Sequence, residues 1–142
     1  MISLALKRTP SKTATFGQRG ASKAIKARLV SQFSHGGIAV DGVLYHSTAA
    51  KGVHFLKQGE WCPTEWDLFP VKADMEQVIS RFATVQGWLY DWLSLLAFVG
   101  IRARDSERLY CFELCHYLLT GEKPTGRVTP ETLLLLALRH RA

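Results

Sequence analysis

Two β-rich runs, Gly36-Gly37-Ile38-Ala39-Val40 and Val43-Leu44-Tyr45-His46-Ser47, flank the dipeptide Asp41-Gly42. Asp-Gly tolerates the positive φ angles of a two-residue hairpin turn. A turn that tight fixes which residues face each other, so positions near 35 lie opposite positions near 46–48. His35 stands at the mouth of the hairpin and His46 on its returning strand. Any fold available to this chain has to be built around that ribbon.

Around the hairpin, spacing predicts short strands early and helices late. Strands are expected at Ile2–Lys7, Gly52–Leu56 and Trp66–Val71, the last bounded by Pro63 and Pro70. Arg8–Gly20, rich in Thr, Ser, Gly and Lys, reads as a loop. Ala21–Phe33 has helical spacing in Ile25, Leu29 and Val30, with Ser22 as a cap. Asp74–Gln86 carries Met75, Val78, Ile79 and Phe82 on one side, with Asp74 as cap and Gly87 as breaker. Tyr90–Val99 is an apolar helix ended by Gly100, and Arg102–Glu107 is a polar loop. Leu109–Leu119 is a helix stopped by Gly121 and Pro124. Thr129-Pro130-Glu131 sets a cap and a first-turn proline ahead of a helix through Leu133–Leu138. The expected class is α+β: an antiparallel β-meander packed against helices.

Length and charge narrow the function classes. The chain of 142 residues reads as a single domain able to bury a core. Three cysteines do not make a secreted disulfide framework and suit a reducing compartment. Ile2–Leu6 is too short for the apolar core of an export signal, and its basic residues follow it. The apolar stretch Trp88–Ile101 is broken by Asp91 and falls short of the ~20 residues that span a bilayer. The expected site of synthesis is the cytoplasm. A phage-encoded protein, or one exported by a dedicated machine, would bear no further mark.

The net charge of +6 is uneven: residues 1–40 hold seven basic residues and no acid, and the remainder is −1. The basic N-terminal segment, 1–24, reads as a solvated arm. With only Phe16 and Phe33 in residues 1–40 it lacks the aromatic platform of a nucleic-acid surface, so nucleic acid is not an expected partner.

The chemistry-bearing pair is His35 and Cys111. Cys111 lies near the start of its helix, in Arg108-Leu109-Tyr110-Cys111-Phe112-Glu113-Leu114. A thiol attacks only as thiolate, and an imidazole is the usual means of making one.

Four motifs in order resemble the circularly permuted NlpC-type papain-like enzymes, the branch that includes relatives of lecithin retinol acyltransferase. They are Ser34-His35 leading into the hairpin, Lys51-Gly52-Val53 followed by Trp61 and Trp66, Gly87-x-x-Tyr90-Asp91-Trp92, and Tyr110-Cys111-Phe112-Glu113-Leu114. The resemblance covers roughly residues 25 to 135. It implies a papain-like fold with the nucleophile at a helix N-terminus and a Cys–His–polar triad working through a thioester. Cys111 is then the nucleophile, with its pKa lowered by the helix dipole, and His35 the base. His46 holds the imidazole, with Ser47 as the alternative. Backbone N–H groups at the helix start form the oxyanion site. Ser34, Tyr110, Glu113 and Tyr90 are candidate binding residues. Glu113 reads equally as a helix cap, and Tyr90 as helix packing. Phe112 departs from the small residue usual after the cysteine, which narrows the site or alters the helix packing.

Cys62 and Cys115 are expected to be incidental or core-facing, and His54, His116 and His140 to play no part. Cys-x-x-x-Cys-His lacks the paired spacing of a structural zinc site, so no metal or other cofactor is expected. The expected activity is hydrolysis of an amide bond, as in a peptidoglycan peptide. An acyl-ester hydrolase or acyltransferase, and a non-catalytic binding module of a phage particle, are the alternatives.

Overall fold

A computed structural model describes residues 1–8, 33–90 and 109–140. Apart from Arg8, Phe33 and Tyr90, the segments expected as loops over 8–20 and 102–107, and as helices over 21–33 and 90–99, lie outside the described residues. The elements are β1 (Ile2–Lys7), β2 (His35–Val40), β3 (Val43–Thr48), β4 (Gly52–Leu56), a 3₁₀ turn (Pro63–Glu65), β5 (Trp66–Pro70), α1 (Met75–Val85), α2 (Cys111–Thr120) and α3 (Pro130–Arg139). The class is α+β: five antiparallel strands and three helices among the described residues.

The hairpin turns as expected. Val40 pairs with Val43, and Asp41 and Gly42 take φ of 45° and 88°. β2, β3 and β4 form the meander, but β5 does not extend it. The sheet order is β4-β3-β2-β1-β5, so β5 crosses to the far side of β1. The first strand is thereby central, and Leu4, Ala5 and Leu6 are fully buried. β5 ends at Pro70, one residue short of the expected limit, while Val71 N–H still donates to Ile2 O at 3.0 Å.

Strand alternation splits the sheet into two faces. Leu4, Leu6, Ile38, Val40 and Val53 pack with Val78, Phe82, Leu114, Leu118 and Leu133 of the helices. The opposite face carries a smaller cluster of Ala5, Ala39, Leu44 and Trp66, with Leu56 and Trp61 against it. Among the described residues no helix is long and apolar enough to cross a membrane.

α2 starts two residues later than its spacing suggests. Tyr110 stays extended as N-cap, which makes Cys111 the first helical residue. The helix stops at Gly121, whose φ of 80° suits glycine. Phe112 does not protrude into a site; it is buried against the sheet over Gly36. A Cβ at Gly36 would lie 2.9 Å from Phe112 Cδ1 and 3.4 Å from Leu6 Cδ2. Gly36→Ala is therefore expected to cost about 1–3 kcal/mol by overpacking, and little in a Phe112→Leu background. Denaturant midpoints of the four chains of the double-mutant cycle check this. Equal cost in both backgrounds would show that the two residues are not complementary.

Candidate active site

The cysteine sits where the helix begins and the sheet ends. The groups that favour the thiolate of Cys111 are the backbone N–H groups of Gly36, Phe112 and Cys111 itself and the Tyr90 side chain. Gly36 comes from the hairpin, Phe112 from the helix start and Tyr90 from the chain after α1. Three separate stretches of sequence therefore converge on one atom. Each donor favours the thiolate, and each is of the kind that stabilises a developing oxyanion.

Burial outweighs them. Cys111 is fully buried, and desolvation pushes its thiol up to about 12 in spite of these groups. The expectation that the helix dipole makes this a low-pKa thiol is thus corrected, because removing the sulfur from water costs the thiolate more than the local dipoles return. Cys115, one turn on, is buried and core-facing as expected, and burial raises its thiol as well. Cys62 is exposed. Iodoacetamide on the native protein should therefore modify Cys62 first, with Cys111 and Cys115 slower by at least about tenfold. Peptide mapping reads the order, and fast labelling of Cys111 would contradict its burial.

The histidine side is also assembled. His35 opens β2 and its Nε2 lies 3.0 Å from His46 Nδ1. His46, not Ser47, is thus the group that meets His35. Ser47 points elsewhere: its hydroxyl donates to Leu109 O at 2.7 Å, tying β3 to the residue two before the cysteine. The His35 ring also lies 5.5 Å from the Trp66 ring, and Lys7 Nζ stands 5.3 Å over that tryptophan. Burial, then Lys7 and His54, lower His35 to about 4. His46 is held well below its ordinary value, first by burial and then by His35 and His54.

The sulfur and the imidazole are linked through the chain: the Gly36 backbone favours the Cys111 thiolate, and Gly36 follows His35. Alternation along β2 turns Gly36 toward α2 and the His35 ring toward Trp66 and His46. Among the described residues no hydrogen bond joins the sulfur to His35. At rest the two side chains lie on opposite faces of the sheet. The resting pair is a neutral thiol and a neutral imidazole. Burial raises the thiol and lowers the imidazole, so moving the proton from sulfur to ring is uphill at rest.

The remaining candidates divide. Tyr90 reaches the sulfur. Tyr110 does not line the site: it is buried, and its hydroxyl donates to Val128 O at 2.9 Å and accepts from Val128 N–H at 3.0 Å. Glu113 is buried and accepts from Tyr110 N–H at 3.4 Å, which is the capping alternative. Ser34 is buried and its N–H donates to Lys7 O at 2.9 Å, extending the β1–β2 pairing. An open pocket of about 270 Å³, lined by His116, Glu122, Arg127 and Thr132 among others, lies at the far end of α2 and not at Cys111. His54 was passed over in the sequence because a lone histidine on a strand carries no signal. Its position opposite His46 follows from the β3–β4 register. Among the described residues no group of three His, Cys, Asp or Glu is arranged to hold a metal ion.

No protein-family model matches the chain, and no curated protein matches it.

Proposed function

We propose that this chain is a cysteine hydrolase that cleaves an amide bond through a thioester on Cys111, on a papain-like scaffold of the circularly permuted NlpC type. The observation that carries the reading is a buried sulfur at a helix start whose thiolate is favoured by the Gly36 backbone and the Tyr90 side chain, in a fold that also pairs His35 with His46.

In this mechanism the thiol stays protonated until substrate arrives. The substrate carbonyl takes over the N–H groups and the Tyr90 hydroxyl near the sulfur, so that they stabilise the developing oxyanion. As the S–C bond forms, His35 accepts the thiol proton, and it then returns that proton to the leaving amine as the C–N bond breaks. Water, deprotonated by the same ring, attacks the thioester and releases the acid and the free thiol. His46 orients His35. Because the ion pair is so far uphill at rest, proton transfer accompanies attack rather than preceding it.

The test is turnover of wild type and Cys111→Ala on murein peptides and, in parallel, on acyl esters. Loss of at least about 10³-fold in the variant on one substrate class supports the thiol enzyme and names its class. A Cys111-dependent acyl adduct, seen as added mass on the peptide bearing Cys111, marks the thioester. Equal behaviour of both proteins on both classes overturns the enzyme. That outcome would favour the second reading, a binding module, to which the complete burial of the sulfur points.

A further inference from the structure

The hydrogen bond between His35 and His46 has two possible directions, and they differ in consequence. If His35 Nε2–H donates, His35 Nδ1 is bare and can take a proton from a thiol. If His46 Nδ1–H donates, the His35 proton sits on Nδ1 and the ring is no base toward sulfur. Positions of heavy atoms at the pair do not choose between the two. A third histidine does.

His54 lies directly across β3–β4 from His46, on the face that carries Leu44 and Trp66. Its Nδ1 is 2.9 Å from Gly52 O. A carbonyl only accepts, so Nδ1 carries the hydrogen, and in the neutral ring Nε2 is bare. The His46 and His54 ring centroids are 4.3 Å apart at 50°. His46 Nε2 is buried and without a hydrogen-bond partner. The two nitrogens of an imidazole point away from each other, so with Nδ1 on His35, this orphaned atom faces the other side of the ring. A buried polar atom without a partner is costly. The neighbouring His54 ring, on the same face of the sheet, carries a bare nitrogen.

We propose that His54 is a positioning residue whose bare Nε2 accepts a hydrogen bond from His46 Nε2–H and thereby sets the direction of the whole imidazole chain. The Gly52 carbonyl anchors the sequence. His54 Nδ1–H donates to Gly52, His46 Nε2–H donates to His54, and His35 Nε2–H donates to His46. What remains is His35 Nδ1, unprotonated, the atom that a thiol base requires. In the opposite direction, two bare Nε2 atoms would stand against each other across the strands, and His46 would keep its orphan. No bond is made or broken; the chain only places three protons.

This inference deepens the proposed hydrolase and rests on that reading for its consequence, but its test does not use turnover. Long-range ¹H–¹⁵N spectra of the full-length chain, labelled on its histidines and recorded near neutral pH, distinguish a pyrrole-type from a pyridine-type nitrogen in each ring. Wild type is expected to show the proton on Nε2 of His35 and His46 and on Nδ1 of His54. In His54→Phe, which keeps a ring but no acceptor, His35 and His46 should both move their proton to Nδ1. In His54→Gln the carboxamide oxygen can accept, and the wild-type pattern should return. A wild-type His35 protonated on Nδ1 overturns the proposal without any variant, so misfolding of His54→Phe cannot shield it. An unchanged pattern in a folded His54→Phe overturns it too. Should Cys111-dependent turnover be found, His54→Phe is expected to lose about 100-fold, the usual worth of a general base, and His54→Gln to recover most of it. Should turnover be absent while the tautomers follow the expected order, the hydrolase reading falls and the relay stands.

Discussion

Gly52→Ala is expected to cost roughly 3 kcal/mol or more, the sum of a left-handed alanine at ~1–2 kcal/mol and an overlap with fixed backbone at ~1–3 kcal/mol. Gly52 has φ of 67°, and a Cβ built on it would stand 2.1 Å from Trp88 O and 3.2 Å from Leu89 Cα. Neither is the end of a flexible side chain. Two bonds lock the approach: Val53 N–H to Trp88 O at 2.8 Å and Gly87 N–H to Val53 O at 2.9 Å. Leu89 O in turn accepts from Leu109 N–H at 3.1 Å, two residues before the cysteine. A shift of the Trp88 segment therefore reaches Tyr90 and the start of α2 together. Gly59→Ala is the control, since its φ is 90° but nothing lies within 4 Å of an added Cβ. It should lose only the backbone part, about 1–2 kcal/mol. Denaturant midpoints compare the two, with alkylation of Cys111 as a second readout expected to quicken in Gly52→Ala alone. Equal losses in the two variants would remove the close approach from the account.

Acidification from pH 6.5 to about 4 is expected to destabilise the fold by about 3 kcal/mol through His35 alone, at 1.36 kcal/mol per unit. The fold holds this ring neutral, mainly by burial, with Lys7 and His54 adding to the effect. Above 6.5 both folded and unfolded rings are neutral and the contribution is whole. Below it the unfolded chain takes up a proton that the folded one refuses, so stability falls until His35 itself titrates near 4. His46 and His54 are lowered as well and act in the same sense. Urea midpoints at several pH values for wild type and His35→Gln isolate the term, because the carboxylates contribute alike to both. Parallel profiles would show that His35 does not titrate abnormally. Cys111 predicts the mirror image at high pH. Its thiol is raised from 9.0 to about 12, so stability should be whole below pH 9 and decline toward 12 in wild type but not in Cys111→Ala.

Local signals read well where one residue decides the backbone. Asp41-Gly42 specified its turn, Asp74 caps α1 by accepting from Glu76 and Gln77 N–H, and Thr129-Pro130 opens α3. The site was half legible. His46 opposite the mouth of the hairpin followed from turn length, and the choice over Ser47 needed the register, in which Gly37 pairs with His46. The part of Gly36 at Cys111 was not legible, since a backbone N–H group carries no letter in a sequence. Two expectations erred for one reason. The lowered thiol and the ligand-facing Tyr110 both assumed an exposed helix start, and burial is a property of the assembled molecule.

What the chain alone determined is therefore local: a tight turn, its two strands, the caps of α1 and α3, the stops of α1 and α2, and an α+β class. These depend on steric limits and hydrogen bonds within a few residues. Packing decided the rest. It carried β5 across to β1 and made the first strand central. It set Phe112 on Gly36, placed His54 against His46, and left the Cys111 thiol and the His35 imidazole both uncharged. Each of those depends on what lies across space from a residue, and the free energy of a buried charge or an orphaned nitrogen is set by that surrounding, not by its neighbours in sequence.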